Sequence, residues 1–307
     1  MLAISNQELD TAGPSVSAVA PRVVGPITRT DIVRFAGAGG DFNPVHHDEV
    51  FARKAGYPSV FAMGMLTAGL LGDYVATWLN VVKVRRLAVR FASPVWPGDV
   101  LSLSAAEISV QDARTVARLV VSAGEQVRVT GEAWSGGALS AVGAEIPPTP
   151  EDLRHLLRTA PAEVTLPVER GKVMEFARAT KSENPLHFDL EATSAAGFRD
   201  LIAPLTFSAV AAHYNGGDAA DVPEALGFDI SRVLHGEERW SYARPVVAGE
   251  TLTGVRTVAA AWHKLLRSGG TMTFVLLPTE YRDAAGELVL RDEQLMIEMP
   301  PRGAGDS

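Results

Sequence analysis

The chain reads as an α+β protein of two tandem units, each an antiparallel sheet wrapped around a central helix. Three observations predict this. The run from Met65 to Leu79 is apolar on nearly all sides, with Leu66, Leu70, Leu71, Tyr74, Val75 and Trp78 spread around the helix. A helix of that kind belongs inside a protein, and at 15 residues it is too short to span a bilayer. The helix is followed by strand-like pieces separated by turns, the order of an antiparallel meander. Finally, the whole pattern recurs once further along the chain.

The elements follow in order. Residues 1–24 mix Ser, Asn, Gln, Gly, Pro and Ala without period and read as a flexible tail. The first unit spans 25–146. Thr30 is placed to cap a short helix over 31–37, with Asp31 at its positive end. Gly37, Gly39, Gly40 and Pro44 make 41–48 an irregular, polar segment, and Asp48 is placed to cap a helix over 49–55. After the central helix, Leu87, Val89 and Phe91 alternate with Arg86, Ala88 and Arg90, a period of two. Pro94 to Gly98 breaks the run, and strands follow over 100–109, 115–123 and 126–135, the last two joined by Gly124-Glu125. Residues 147–163, with Pro147, Pro148 and Pro150 and a partly helical piece over 151–159, are the expected linker. The second unit covers 164–300, and 301–307 is a tail.

The repeat is traced by several blocks in the same order. L-P-V-E-R-G-K-V-M-E-F-A ends at Ala177, as G-P-I-T-R-T-D-I-V-R-F-A ends at Ala36, an offset of 141 residues. At that offset Asn184-Pro185-Leu186-His187 falls on Asn43-Pro44-Val45-His46, and Gly197-Phe198 on Gly56-Tyr57. Y-A-R-P-V-V-A-G-E from Tyr242 falls on F-A-S-P-V-W-P-G-D from Phe91 at an offset of 151, which places an insertion near 215–227. The second copy has lost an acid: Asp41 is matched by Ser182, and Gly64 by Leu205. One working site and one degenerate unit are expected.

Composition limits the function. A net charge of −8 and a pI near 5.4 argue against a nucleic-acid binder, which needs a basic face. Cysteine is absent, so no disulfide, thiol nucleophile or Cys-bound zinc is expected. No stretch approaches 18 uninterrupted apolar residues, and the N-terminus lacks a basic region followed by an apolar run. No membrane span or signal peptide is expected, and the reading is a cytoplasmic enzyme.

The run G-D-x-N-P-x-H-x-D from Gly40 to Asp48, then Ala52, Gly56 and Gly64-Met65-Leu66, resembles the signature of MaoC-like (R)-specific enoyl-thioester hydratases and dehydratases. Residues 64–79 resemble the catalytic subunit of the actinobacterial (3R)-hydroxyacyl-ACP dehydratases. A-P-L-T-F over 203–207, and Leu234-His235-Gly236-Glu237 followed by R-P-V-V-A-G-E, resemble their non-catalytic partner subunit. The match departs at Met63, where many hydratases of the family carry His. The resemblance spans most of 25–299 and implies a double hot-dog fold with the catalytic unit first. It implies reversible hydration of trans-2-enoyl thioesters of CoA or ACP to (3R)-3-hydroxyacyl thioesters, with no cofactor. A homodimer of double hot-dog chains is one assembly in keeping with it.

The residue types suit that chemistry. A water must lose a proton as it attacks C3, a proton must reach C2, and the thioester oxygen must be stabilised. A carboxyl and an imidazole around one water serve the first two tasks. His46 is the expected base and Asp41 the expected acid, the reverse assignment staying open. Burial is expected to raise the pKa of Asp41 and lower that of His46. The backbone N–H of Gly64, at the mouth of the central helix, is the expected oxyanion donor. Asn43 orients the loop or His46, or simply makes an Asn-Pro turn. A metal held by Asp41, His46, His47 and Asp48 is not expected, because adjacent His side chains diverge. Arg85 and Arg86, with Lys83 and Arg90, form the compact basic cluster expected to meet CoA phosphates or an acidic carrier; a solvated strand edge is the alternative. His187, His213, His235 and His263 read as structural. A hot-dog thioesterase and a silent acyl-thioester-binding module are the rival functions.

Overall fold

The computed structural model describes residues 19–111, 114–137, 146–215, 221–266 and 269–301. The expected tails over 1–18 and 302–307 lie outside these, as do 216–220 of the expected insertion.

The chain begins earlier than its composition suggests. Arg22–Val24, assigned to the tail, is strand β1, paired antiparallel with Leu101 to Leu103. Helix α1 (Arg29–Gly39) is capped by Thr28 rather than Thr30. The reason is a capping box: Asp31 N donates to Thr28 Oγ1 at 3.1 Å, and Thr28 N donates to Asp31 Oδ2 at 2.9 Å. Helix α2 (Glu49–Lys54) starts at Asp48, whose carboxylate accepts from Val50 N and Phe51 N.

The 16-residue helix α3 (Gly64–Leu79) is buried from Leu66 to Ala76. Strands β2 (Val84–Phe91), β3 (Leu101–Gln111), β4 (Arg114–Ala123) and β5 (Gln126–Ser135) wrap it. The inward residues Leu87, Val89, Leu119, Val121 and Val129 are all at most 1% exposed, so this sheet closes on its helix with an apolar face. Gly69 lets α3 pack closely on the second unit: a Cβ there would lie 2.4 Å from Thr180 Cγ2, a contact only glycine permits.

Two 3-10 turns, Glu151–Leu153 and Leu156–Arg158, lead into β6 (Ala162–Pro167), α4 (Arg170–Ala179) and α5 (Leu190–Ala195). The counterpart of the central helix is an eight-residue 3-10 segment, Phe207–Tyr214. Its apolar run ends at Tyr214, before Asn215. After α6 (Asp221–Ala225) come β7 (Val233–Tyr242), β8 (Thr251–Arg256), β9 (Ala260–Leu265), β10 (Thr271–Arg282) and β11 (Leu288–Glu298).

The strands form one sheet in the order β1-β3-β4-β5-β2-β7-β11-β10-β8-β6, with β9 on β10. The two halves of that order mirror each other about the β2–β7 pair, which runs from Arg86↔Ser241 to Arg90↔Glu237. This is the tandem α+β arrangement that the sequence predicts, with a shortened second core segment. No helix among the described residues is long and apolar enough to cross a membrane.

Candidate active site

The irregular segment before α2 is held by its own side chains. Asn43 N donates to Asp41 Oδ1 at 3.2 Å, and Asn43 Oδ1 accepts from Val45 N at 3.1 Å. Asn43 thus ties the carboxyl to the single 3-10 turn Pro44–His46 that carries the imidazole. His47 points away, its Nε2 contacting Phe42 O at 3.1 Å.

His46 is 8% exposed, with its ring edge-on to Phe61 at 5.0 Å between centroids. Its Nδ1 lies 2.8 Å from Phe61 O. A carbonyl only accepts, so Nδ1 carries the proton and Nε2 presents a lone pair in the neutral ring. Burial pushes the imidazole below its ordinary value, against the pull of the Asp41 carboxylate and the Phe61 carbonyl. Asp41 Oδ2 lies 3.7 Å from His46 Nε2. In the neutral ring Nε2 is an acceptor, so a water held between it and the Asp41 carboxyl has a lone pair to donate to. The Asp41 side chain keeps 33% of its surface exposed, so its desolvation is partial rather than the burial expected from the sequence.

Both groups line a cleft of about 420 Å³ together with Asn43 and Gly64. Gly64 is the first residue of α3, so its N–H has no acceptor within the helix and lies at the positive end of the dipole. A Cβ at Gly64 would come within 3.0 Å of the Phe91 ring, so glycine lets β2 close against the helix mouth.

The expected basic cluster is not at this cleft. Arg85 Nη1 reaches Val82 O at 3.4 Å, and the Arg86 guanidinium stacks over Trp134 at 5.1 Å from its centroid. Arg90 Nε is 4.0 Å from a Glu237 carboxylate oxygen. Phe91 faces the cleft, so strand alternation puts Arg86 and Arg90 across its plane, where Trp134 and Glu237 engage them. None of these arginines, nor Lys83, lines the cleft.

Sequence reasoning missed the far wall. The second unit supplies Leu234, His235, Gln294 and Met296, so the cleft belongs to both halves. His235 packs edge-on to Phe91 at 5.0 Å between centroids, and its Nε2 contacts the Glu238 carboxylate. One signal was available. The L-H-G-E run opens the strand before Y-A-R-P, and a strand that pairs with β2 brings its first residues beside the cleft of the first unit. Among the described residues no group of three or more His, Asp or Glu side chains is spaced to hold a metal.

Comparison with known proteins agrees with this architecture. A MaoC-like domain model matches residues 13–129, and a model of the FAS1-like dehydratase domain region matches 158–292. A UPF0336 protein of Leifsonia xyli subsp. xyli is 39% identical over 148 residues, 48% of this chain and 86% of that protein. A solved MaoC domain protein from Chloroflexus aurantiacus J-10-fl superposes with a TM-score of 0.66 at 16% identity, covering 95% of this chain and 96% of that one. A Mycobacterium tuberculosis protein described as having a double hot-dog fold gives 0.62 at 15% identity, covering 94% and 99%. At such identities the structural likeness is one of fold.

Proposed function

Since the chain belongs to the MaoC-like hot-dog family, we propose that it hydrates trans-2-enoyl thioesters to (3R)-3-hydroxyacyl thioesters and catalyses the reverse dehydration. The observation that carries this reading is the 3.7 Å pair of Asp41 Oδ2 and His46 Nε2, with Nδ1 committed to Phe61 O, on one cleft with the N-terminus of α3.

In hydration, the lone pair on His46 Nε2 takes a proton from water as the water oxygen bonds to C3, and the protonated Asp41 carboxyl gives a proton to C2. The pair therefore starts with one proton, on Asp41, and ends with one, on His46. Dehydration runs the same path backwards: Asp41 takes the C2 proton, and the imidazolium gives its proton to the departing hydroxyl. The Gly64 N–H faces the thioester oxygen as negative charge builds on it; oxyanion donors elsewhere contribute about 2.7–4 kcal/mol. The acyl chain runs from the cleft toward the second unit, where the shortened core segment leaves room. The chain acts on acyl thioesters of CoA or ACP in fatty-acid metabolism, in the cytoplasm, and needs no cofactor.

The test is to incubate the full-length chain with a crotonyl or longer 2-enoyl thioester. Loss of the enoyl absorbance without free thiol is the expected result. Thiol release would make it a thioesterase, and no change with any acyl chain would make it a binding module.

A further inference from the structure

The inner face of the second unit's sheet carries buried polar groups that the proposed reaction does not use. The corresponding face of the first unit is apolar. Here β7, β8, β10 and β11 bring Glu238, Arg256, Thr279 and Asp292 to the wall of a chamber of about 250 Å³. The chamber and the catalytic cleft share Asp41, Met65, Pro223, His235, Gln294 and Met296, so the two spaces meet at those side chains.

The polar groups are held in place. Ser208 Oγ donates to Asp292 Oδ2 at 2.5 Å and accepts from Trp240 Nε1 at 2.9 Å. The Asp292 carboxyl is buried and is hydrogen-bonded to the Glu238 side chain, so the two acids form a pair on the chamber wall; beyond that pair, Oδ1 takes no hydrogen bond among the described residues. Each carboxyl oxygen has two lone pairs, so the pair keeps acceptor positions that a ligand's donor can meet.

The surrounding charges narrow the ligand. Burial, reinforced by repulsion from Glu238, pushes the Asp292 carboxyl well above its ordinary value, and burial pushes Glu238 up to about 7. Burial pushes His235 down to about 4. Arg256 disfavours an ammonium group, and two acids disfavour a carboxylate. A hydroxyl both donates and accepts, so it satisfies Asp292 whether or not that carboxyl holds its proton.

We propose that this chamber binds the distal part of an acyl chain bearing a neutral hydroxyl, which hydrogen-bonds the Glu238–Asp292 pair, so that oxygenated tails are preferred over plain hydrocarbon. The proposal rests on the acyl-thioester reading of the cleft and adds the class of chain that the site selects.

The test is calorimetric titration of the full-length chain with matched saturated acyl-CoA thioesters of increasing length, plain or terminally hydroxylated. Saturated chains cannot be hydrated, so binding is read apart from catalysis. At the length that reaches the chamber, the hydroxylated chain binds about tenfold tighter, the equivalent of about 1.4 kcal/mol. Asp292→Leu abolishes that preference; should it fail to fold, the near-isosteric Asp292→Asn reduces it. Equal or weaker binding of the hydroxylated chain at every length overturns the proposal, as does a preference that survives in the folded variant. Failure to hydrate crotonyl thioester, a chain too short to reach the chamber, counts against the proposed reaction alone, while the calorimetric ranking still decides the subsite.

Discussion

Each unit carries an Asn-Pro-x-His turn, and the two turns are built alike. Asn43 and Asn184 each accept a backbone N–H at 3.1 Å. Nδ1 of His46 lies 2.8 Å from Phe61 O, and Nδ1 of His187 lies 2.6 Å from Ile202 O. Asp48 and Asp189 cap the helices that follow. The difference lies five residues before each histidine. Asp41 faces an open cleft; Ser182 donates its hydroxyl to Asp73 of α3, whose other oxygen accepts from Arg22 at 2.5 Å. His187 is 1% exposed and lines neither the cleft nor the polar chamber. The turn is therefore a scaffold that fixes an imidazole tautomer. Chemistry needs, in addition, a second acid–base group and a space for the substrate.

The largest effect should come from breaking the turn that faces the cleft. Asp41→Asn and His46→Gln each lower 2-enoyl thioester hydration by about 10²–10⁴-fold while the circular dichroism spectrum stays native. Ser182→Ala and His187→Gln leave turnover near normal. Near-normal turnover in Asp41→Asn would remove the acid from the mechanism, and a comparable loss in His187→Gln would erase the difference between the units.

The second unit's turn should matter for stability instead. Asp73 has a side chain only 1% exposed and is paired with Arg22, which is 24% exposed. Removing one partner of a buried ion pair costs about 3–5 kcal/mol, because the other charge is left without compensation. Arg22→Ala is therefore expected to lower the thermal midpoint markedly, with the loss relieved when Asp73 is also replaced by Asn. Unchanged melting of Arg22→Ala would mean that Asp73 does not depend on that arginine.

How much of this was legible in the sequence follows from the range over which each signal acts. The repeat, the buried helix, the strands and the polar turn are set by local pattern, and Asp41, Asn43, His46 and Gly64 fall within one run of 24 residues. Arg22 was read as tail because β1 has three residues, too few to show a period of two, and exists by pairing with β3. The alternation along β2 is local, but what meets Arg86 across it is not: only the pairing of β2 with β5 reveals that Trp134 engages Arg86 away from the cleft. His235 and Asp292 meet the cleft and its chamber through the β2–β7 and β7–β11 pairings, which join residues far apart in the chain.

The smallest expected effect compares the two histidines by pH. Burial is the main cause holding both His46 and His187 below the ordinary imidazole value; the carboxylate of Asp41 opposes it at the first, and Asp73 at the second. Well above pH 6.5, His187 is neutral whether the chain is folded or unfolded, and it adds no pH dependence. As pH falls through that value the unfolded chain takes up a proton that the folded chain refuses, so stability is lost. The slope from one such group is at most about 1.4 kcal/mol per pH unit. Chemical denaturation at a series of pH values should therefore show a gentler acid loss in His187→Gln than in the parent chain, with hydration unaffected. The same exchange at His46 should also flatten the slope but carry the large loss of turnover given above. An acid slope that is unchanged in His187→Gln would mean that this imidazole takes up its proton as readily in the folded chain as in the unfolded one.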